Sequence, residues 1–349
     1  MKVIHIESGF GNQMLDYAEY LAVKKSHPDE ECYIEKIIYD IPESHKVISQ
    51  WNGYELARVF GCDARDIRVL FSDSKWSGVI RSVNESRFWE NGWSYDEAIS
   101  KALNVCGGLS LKNKCQSLEL SSDTAKQKLR VALGKFFNET ALGYNVRRKL
   151  QQSKVKRDNS EDYCSTLFRL DSEDALCGHT LKFMNVNSGI EKISREIKEA
   201  FRFPEITDEK NLEAYREITS GCSVAIHARR GDMLSRNGCY YKYGYFSRAV
   251  KFIKSKVQNP VFYFFCDPGS IEWCRNNGEI FGLDFSRDNV RFVDWNKGEE
   301  SYRDMQLMSA CRHNIVTNSS FGWWGAYFNE NPDKITCSPD ARINTTHHF

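Results

Sequence analysis

The hydrophobic pattern of this chain is regular at both ends and irregular between them. At the start, "VIHIES" reads as a short strand and "GFGN" as a tight turn, while "QMLDYAEYLAVKK" carries Met14, Tyr17, Ala18, Leu21 and Ala22 at steps of three and four. That spacing predicts a strand, a turn and a helix with one apolar stripe facing inward. From about residue 222 the segments "CSVAIHA", "VFYFFC", "VRFVDW", "NIVT" and "KITCS" read as strands. Between them lie the helix-bearing stretches "YFSRAVKFIKSKV", "DPGSIEWCRNN", "ESYRDMQLMSAC" and "FGWWGAYFNE". Strands alternating with helices predict a parallel sheet with right-handed crossovers. The region 75–160 scatters Trp, Gly and polar residues, with a helical pattern near 123–137, and "KRDNSED" at 156–162 is its most loop-like stretch. The expectation is an α/β chain of two units, 1–215 and 216–349, with 75–160 a helical or irregular insert in the first.

Length supports this division, because 349 residues exceed what a single core usually organises. Charge narrows the function. With 48 basic and 47 acidic residues the net charge is +1, which excludes a nucleic-acid surface built on bulk charge and leaves room for local basic pockets. Twelve cysteines are spread along the chain without a CxxC pair, and Cys222, Cys266 and Cys311 lie in or beside apolar runs. Such residues read as small buried hydrophobes rather than a disulfide framework. The opening "MKVIHIESGF" does not read as a signal peptide, and no run approaches the ~20 apolar residues of a membrane span. A cytoplasmic location is expected, with peripheral association at an inner membrane allowed. The sequons at Asn84, Asn138, Asn318 and Asn344 then read as chance matches.

Candidate chemistry gathers where strands end. In "SVAIHARRGDM", alternation puts Ala225, His227 and Arg229 on one face and Val224, Ile226 and Ala228 on the other. An imidazole and a guanidinium thus point the same way at a sheet edge, where open α/β sheets bind ligands. A planar guanidinium suits phosphate oxygens; a plain Arg–Asp cluster involving Asp232 is the alternative. "VTNSSFGWWGAYF" runs from strand to helix through Asn318, Ser319 and Ser320, an anion site or an ordinary N-cap. Trp323 and Trp324 read as packing, since adjacent positions do not share a helix face. Asp267 ends another strand, fit to accept from a ribose or purine or merely to start a turn before Pro268. Near the start, Gly9 and Gly11 begin a GxGxxG-like pattern, but Met14 stands at the third glycine, so a nicotinamide site is not expected. Asn12 falls at the helix start, facing a ligand or capping. No Walker sequence is present, and no Asp-x-Asp pair that would clamp a diphosphate through a metal. A cationic clamp of Arg229 and Arg230 could neutralise the same charge without one.

Three separated blocks, "GFGNQMLDYAEYLA", "IHARRGD" and "DMQLMSACRHNIVTNSSFGWWGAYF", resemble the motifs of the family 11 α-1,2-fucosyltransferases of bacterial type. The resemblance covers both ends of the chain and leaves 75–160 aside. It implies a GT-B architecture, two Rossmann-like domains facing a central cleft, with GDP-fucose on the C-terminal one. It further implies inverting, metal-independent transfer of L-fucose from GDP-β-L-fucose to the 2-hydroxyl of a terminal galactoside, with no separate cofactor and no nucleic acid. On this pattern Arg229 neutralises the departing GDP. His227, Arg230, Asp232, Asp267, Asn318, Ser319 and Ser320 line the donor, Asp267 and Asp304 are candidates for the nucleoside and for support of the arginines, and Asn12 faces the reacting sugar. The chain departs from the family in three places: two glycines usually stand where it has Ser8 and Gly9, Glu7 just before them is atypical, and Met233 follows "RRGD" where an aromatic is common. Glu7 is the candidate base that takes the acceptor's proton, with Asp16 and His227 as rivals. A transferase of another GDP-sugar or linkage, or a non-catalytic GDP-binding α/β protein, are the other readings.

Overall fold

The computed structural model describes residues 1–41, 51–90, 92–115, 124–155, 173–178, 181–231 and 233–349. The chain forms two compact units, each built on a parallel sheet. One comprises Met1–Glu119, Glu161–Phe183 and Asn187–Pro204, the other Leu120–Ser160, Met184–Val186 and Glu205–Phe349. This division differs from the expected 1–215 and 216–349 at two places. The helix Glu209–Ser220 belongs with the C-terminal sheet, against the helix Tyr302–Ala310. The insert is shared: helices Asp73–Ser86 and Tyr95–Val105 stay with the first unit. The helical pair Thr124–Glu139 and Ala141–Val155 joins the second, through Tyr144 packed on Tyr240 and Tyr243. The loop-like 156–162 lies outside the described residues.

In the N-terminal unit, strands β1 (Lys2–His5), β2 (Cys32–Glu35), β3 (Lys112–Asn113) and β4 (Ala175–Gly178) align in the order β2-β1-β4-β3, every pairing parallel. The expected helix follows β1 as Phe10–Ser26. Its stripe buries Met14, Tyr17, Ala18 and Ala22, but the helix buries Gln13, Asp16 and Glu19 as well. Val3, Tyr33 and Leu176 from the sheet meet Phe88, Ile99 and Leu103 in one core.

In the C-terminal unit, β5 (Ser223–Ala228), β6 (Val261–Cys266), β7 (Asn289–Val293), β8 (His313–Ile315), β9 (Thr336–Ser338) and β10 (His347–His348) form a parallel sheet in the order β10-β9-β8-β5-β6-β7. Read from the far edge this is the doubly wound 3-2-1-4-5-6 order. The chain reverses direction across the sheet between β5 and β8, so the crevice at the carboxyl ends of those two strands is where such a sheet receives a ligand. Val224, Ile226 and Ala228 enter the core with Phe262, Phe264 and Ile315, as alternation predicts. Trp323 and Trp324 are buried packing residues, also as expected. Eleven of the cysteines are described, and these are free thiols, with Cys266 and Cys274 Sγ atoms 3.5 Å apart. Among the described residues, no helix is long and apolar enough to cross a membrane.

Candidate active site

His227, one residue before the end of β5, alternates with the residues that face the apolar core and is 5 % exposed. Its ring stacks on Phe321 at 5.7 Å. The helix Ser320–Tyr327 approaches so closely that a Cβ on Gly322 would stand 2.3 Å from the His227 Nδ1. Only glycine permits this contact between the ends of β5 and β8. Burial, with the neighbouring Arg229 charge second, pushes the His227 pKa down to about 3. The imidazole is therefore neutral at physiological pH and a weak proton acceptor, which counts against it as the general base. Its Nδ1 is buried and meets no hydrogen-bond partner among the described residues, a polar atom left for a ligand.

Two residues on, the guanidinium of Arg229 donates to Asp267 at the end of β6, Nη1 to Oδ1 at 2.5 Å. The other oxygen of Asp267 accepts the backbone N–H of Arg230 at 2.6 Å. Asp267 thereby fixes the turn after β5 and holds Arg229, a positioning task, and the turn before Pro268 is not its sole role. Buried Asn237 donates to the Arg229 carbonyl at 3.3 Å. Arg230 goes elsewhere. Its guanidinium lies over Trp273, 3.2 Å from the ring centroid, and 5.5 Å from the centre of Tyr241. The two arginines thus serve different surroundings: Arg229 is half-buried against an acid, Arg230 stacks in an aromatic cradle. Asp232 lies outside the described residues.

Across the crevice, Ser319 is the N-cap of the helix Ser320–Tyr327, yet its side chain makes no capping hydrogen bond. Asn318 is exposed beside it, and Ser320 begins the helix. Buried Thr317, one residue earlier, has a hydroxyl without a partner among the described residues. Asp304 is not brought to the arginines. It accepts from Asn296 at 2.8 Å, within a group where Trp295 and Asn296 also donate to Asn211. Burial raises its pKa to about 7.

In the N-terminal unit Glu7 follows β1 and is 3 % exposed. Its Oε2 accepts Trp93 Nε1–H at 3.0 Å and lies 3.4 Å from His5 Nε2, and its backbone N–H donates to Asp16 Oδ2 at 3.2 Å. Ser8, where the family usually has glycine, adopts φ 70°, the left-handed backbone that glycine takes without strain. Tyr39 and Gln13 donate to its carbonyl at 2.7 and 3.0 Å and hold the turn. Asn12 is not the cap: Gly9 is, and Asn12 is the third residue of the helix, half-buried. Sequence reasoning missed Trp273, Phe321, Asn237 and His5. The glycine in "SSFGWW" was the available signal for the His227 contact.

Residues 192–345 match the profile of glycosyl transferase family 11. The match takes in less than half of the chain. That region takes in His227, Arg229, Asp267 and the 318–320 segment, the whole crevice of the second sheet. Among curated proteins, 138 residues are 37 % identical to an alpha-1,2-colitosyltransferase of Escherichia coli, covering 38 % of this chain and 44 % of that protein. The O-antigen biosynthesis glycosyltransferase WbnK of Escherichia coli is 29 % identical over 136 residues, 37 % of this chain and 42 % of that one. Galactoside alpha-(1,2)-fucosyltransferase 1 of Plecturocebus brunneus is 30 % identical over 109 residues, 30 % of this chain and 28 % of that one. The chain thus spans less than half the length of these curated relatives. Among solved structures, NodZ alpha-1,6-fucosyltransferase co-crystallized with GDP aligns over 99 % of this chain and 98 % of that one, at 12 % identity and a TM-score of 0.46.

Proposed function

We propose that this chain is an inverting glycosyltransferase that moves L-fucose from GDP-β-L-fucose to the 2-hydroxyl of a terminal galactoside without a metal. The observation that carries the reading is the crevice of the family 11 region. A buried neutral imidazole with an unmet nitrogen, a guanidinium steadied by Asp267, and an uncapped Ser319 stand around the point where the sheet order reverses. In this reading the acceptor oxygen bonds to C1 as the bond from C1 to the diphosphate oxygen breaks. The electron pair leaves with GDP, whose developing charge Arg229 stabilises. The acceptor's proton passes to the Glu7 carboxylate. Ser319, Ser320 and Asn318 offer donors to the phosphates, Asn12 an amide to the sugar, and Arg230 supports the loop from its aromatic cradle. A cytoplasmic location belongs to the same reading, in keeping with the free thiols and a nucleotide-sugar donor.

The name of the colitosyltransferase relative favours a second donor, a GDP-sugar that lacks the 3-hydroxyl of fucose. One experiment tests both. GDP-fucose and GDP-colitose are each incubated with lactose, N-acetyllactosamine and galacto-N-biose in excess EDTA, and product linkage is read by NMR. A 1→2 fucosyl product is expected. Product from GDP-colitose alone moves the proposal to the second donor. Activity that needs added manganese, or a different linkage, overturns it.

A further inference from the structure

The interior of the N-terminal sheet holds a chain of ionisable groups that ends on Glu7. In the β1–β2 register His5 stands opposite Glu35, and the two are 2 % and 0 % exposed. His5 Nδ1 is hydrogen-bonded to Glu35 Oε1. Glu35 Oε2 in turn accepts the Ile37 N–H at 3.1 Å and the Tyr95 hydroxyl at 3.3 Å. The other ring nitrogen, Nε2, faces Glu7 Oε2 at 3.4 Å. On the β4 side His5 is paired with Gly178, where a Cβ would stand 2.7 Å from the His5 carbonyl oxygen and 3.0 Å from its Cβ. Gly178 therefore lets β4 come close to the His5 backbone.

Both ring nitrogens face carboxylate oxygens. A neutral imidazole has one N–H and one lone pair, so one nitrogen would oppose oxygen lone pairs; the imidazolium satisfies both. Glu35, anchored by two further donors, is the inner end, and Glu7, which also accepts from Trp93 at 3.0 Å, stands just past the carboxyl end of β1. The other titratable groups here are Asp16 and Glu19 on the first helix, Tyr39 near Glu7 and Asp16, Tyr95 with its ring 4.8 Å from His5, and Cys115 and Cys177 beyond Glu19 and Glu35. Burial and the Asp16 charge push Glu19 well up, which favours its neutral form. Burial alone would lower the His5 pKa, but the charge and hydrogen bond of Glu35, followed by those of Glu7, raise it well above the ordinary imidazole value.

We infer that His5 and Glu35 are positioning residues for Glu7: the imidazolium, braced from behind by Glu35, holds the Glu7 carboxylate ionised and aimed at the carboxyl edge of the sheet. The inference rests on the reading of Glu7 as the base. An isolated buried carboxylate would be driven to its neutral form. A cation in contact reverses this and keeps the base able to accept a proton.

The test compares Glu7→Gln, His5→Gln and Glu35→Gln in the full chain, measuring transfer rate against pH and GDP affinity by calorimetry. Loss of the neighbouring cation raises the pKa of the carboxylate that must be ionised, so the acid limb of the profile should move up by about 1 pH unit or more in His5→Gln and Glu35→Gln. Transfer at neutral pH should fall at least tenfold in both, with GDP affinity changed less than twofold. A merely structural brace would lower stability and leave the limb in place. If Glu7→Gln transfers normally, the base reading fails and this one falls with it. If Glu7→Gln is inactive while the other two keep the native profile, the base stands and the positioning role is wrong. Nitrogen-15 NMR of the imidazole in the unmodified chain decides the matter even if the variants do not fold. His5 should be protonated at both nitrogens at pH 7, and a neutral ring there overturns the inference.

Discussion

The two sheets place their polar chemistry in opposite ways. In the C-terminal sheet, β5 and β6 send apolar side chains into the core, and Arg229 and Asp267 come after the strands end. In the N-terminal unit His5 and Glu35 of the sheet and Asp16 and Glu19 of the first helix are inside the fold, and Glu7 stands just past the end of β1. The first arrangement attaches a site to a finished scaffold, so that changes in its residues touch chemistry more than folding. The second makes the scaffold and the chemistry share atoms. Buried carboxylates cost several kcal/mol each unless paired, so the N-terminal unit must keep its pairs intact to stay folded.

The largest expected effect tests the shared side of that contrast. Glu7→Gln should cut transfer by roughly 10² to 10⁴ while GDP affinity stays within about twofold. Initial rates and calorimetry on one folded preparation check this, and a rate within about threefold of native removes Glu7 from catalysis. On the detached side, Arg229→Lys should lose about 10²-fold or more in turnover, since lysine keeps the charge without the planar fork. Its thermal midpoint should barely move, because the group is part-exposed. A large loss of stability would show that this site, too, is woven into its scaffold. Gly322→Ala comes next: the added carbon has no room beside His227, and overpacking costs about 1–3 kcal/mol. Thermal unfolding should register it as several degrees, with weakened GDP binding; an unchanged melt would mean that the helix simply shifts.

The smallest effect concerns pH. Asp304, with its pKa raised to about 7, binds its proton more tightly folded than unfolded. Its contribution is fully present below the ordinary carboxylate value and is lost as pH rises from there through about 7. Asp304→Asn should therefore gain stability relative to the native chain between pH 5 and pH 8. Denaturant unfolding at the two pH values measures it, and equal differences at both would show that Asp304 ionises normally.

What the sequence reveals follows the same contrast. Arg229 and Asp267 are legible because a polar residue after an apolar strand has few structural reasons to be there, and His227 because it interrupts an apolar strand near its end. Asp16 is legible as a candidate base, but its burial and that of Glu19 are not, since a stripe of hydrophobic residues says nothing about the polar positions beside it. The helix Asp73–Ser86 escapes notice for another reason: it buries only Val79 and Val83 fully, too little to set a period against Trp and Gly neighbours. Trp273 under Arg230 depends on close approach of distant segments, which no local pattern encodes, and Gly322 signals a close approach without naming His227 as the partner. Ser8 misleads by identity, because it takes the backbone shape of the glycine it replaces, held by Tyr39 and Gln13.

The opposition of His5 and Glu35 also bears on how the N-terminal sheet assembles. Neighbouring parallel strands of similar apolar residues can slide past one another with little penalty, and Ile4 facing Ile34 does nothing to forbid it. A slip of two residues leaves every side chain on its own face, yet it would set Glu35 beside Val3 and His5 beside Ile37. Each ion would then be buried without its partner, at a cost of about 3–5 kcal/mol. The pair therefore works as a registration mark: among the alignments that apolar burial tolerates, it leaves one that the nascent sheet can keep.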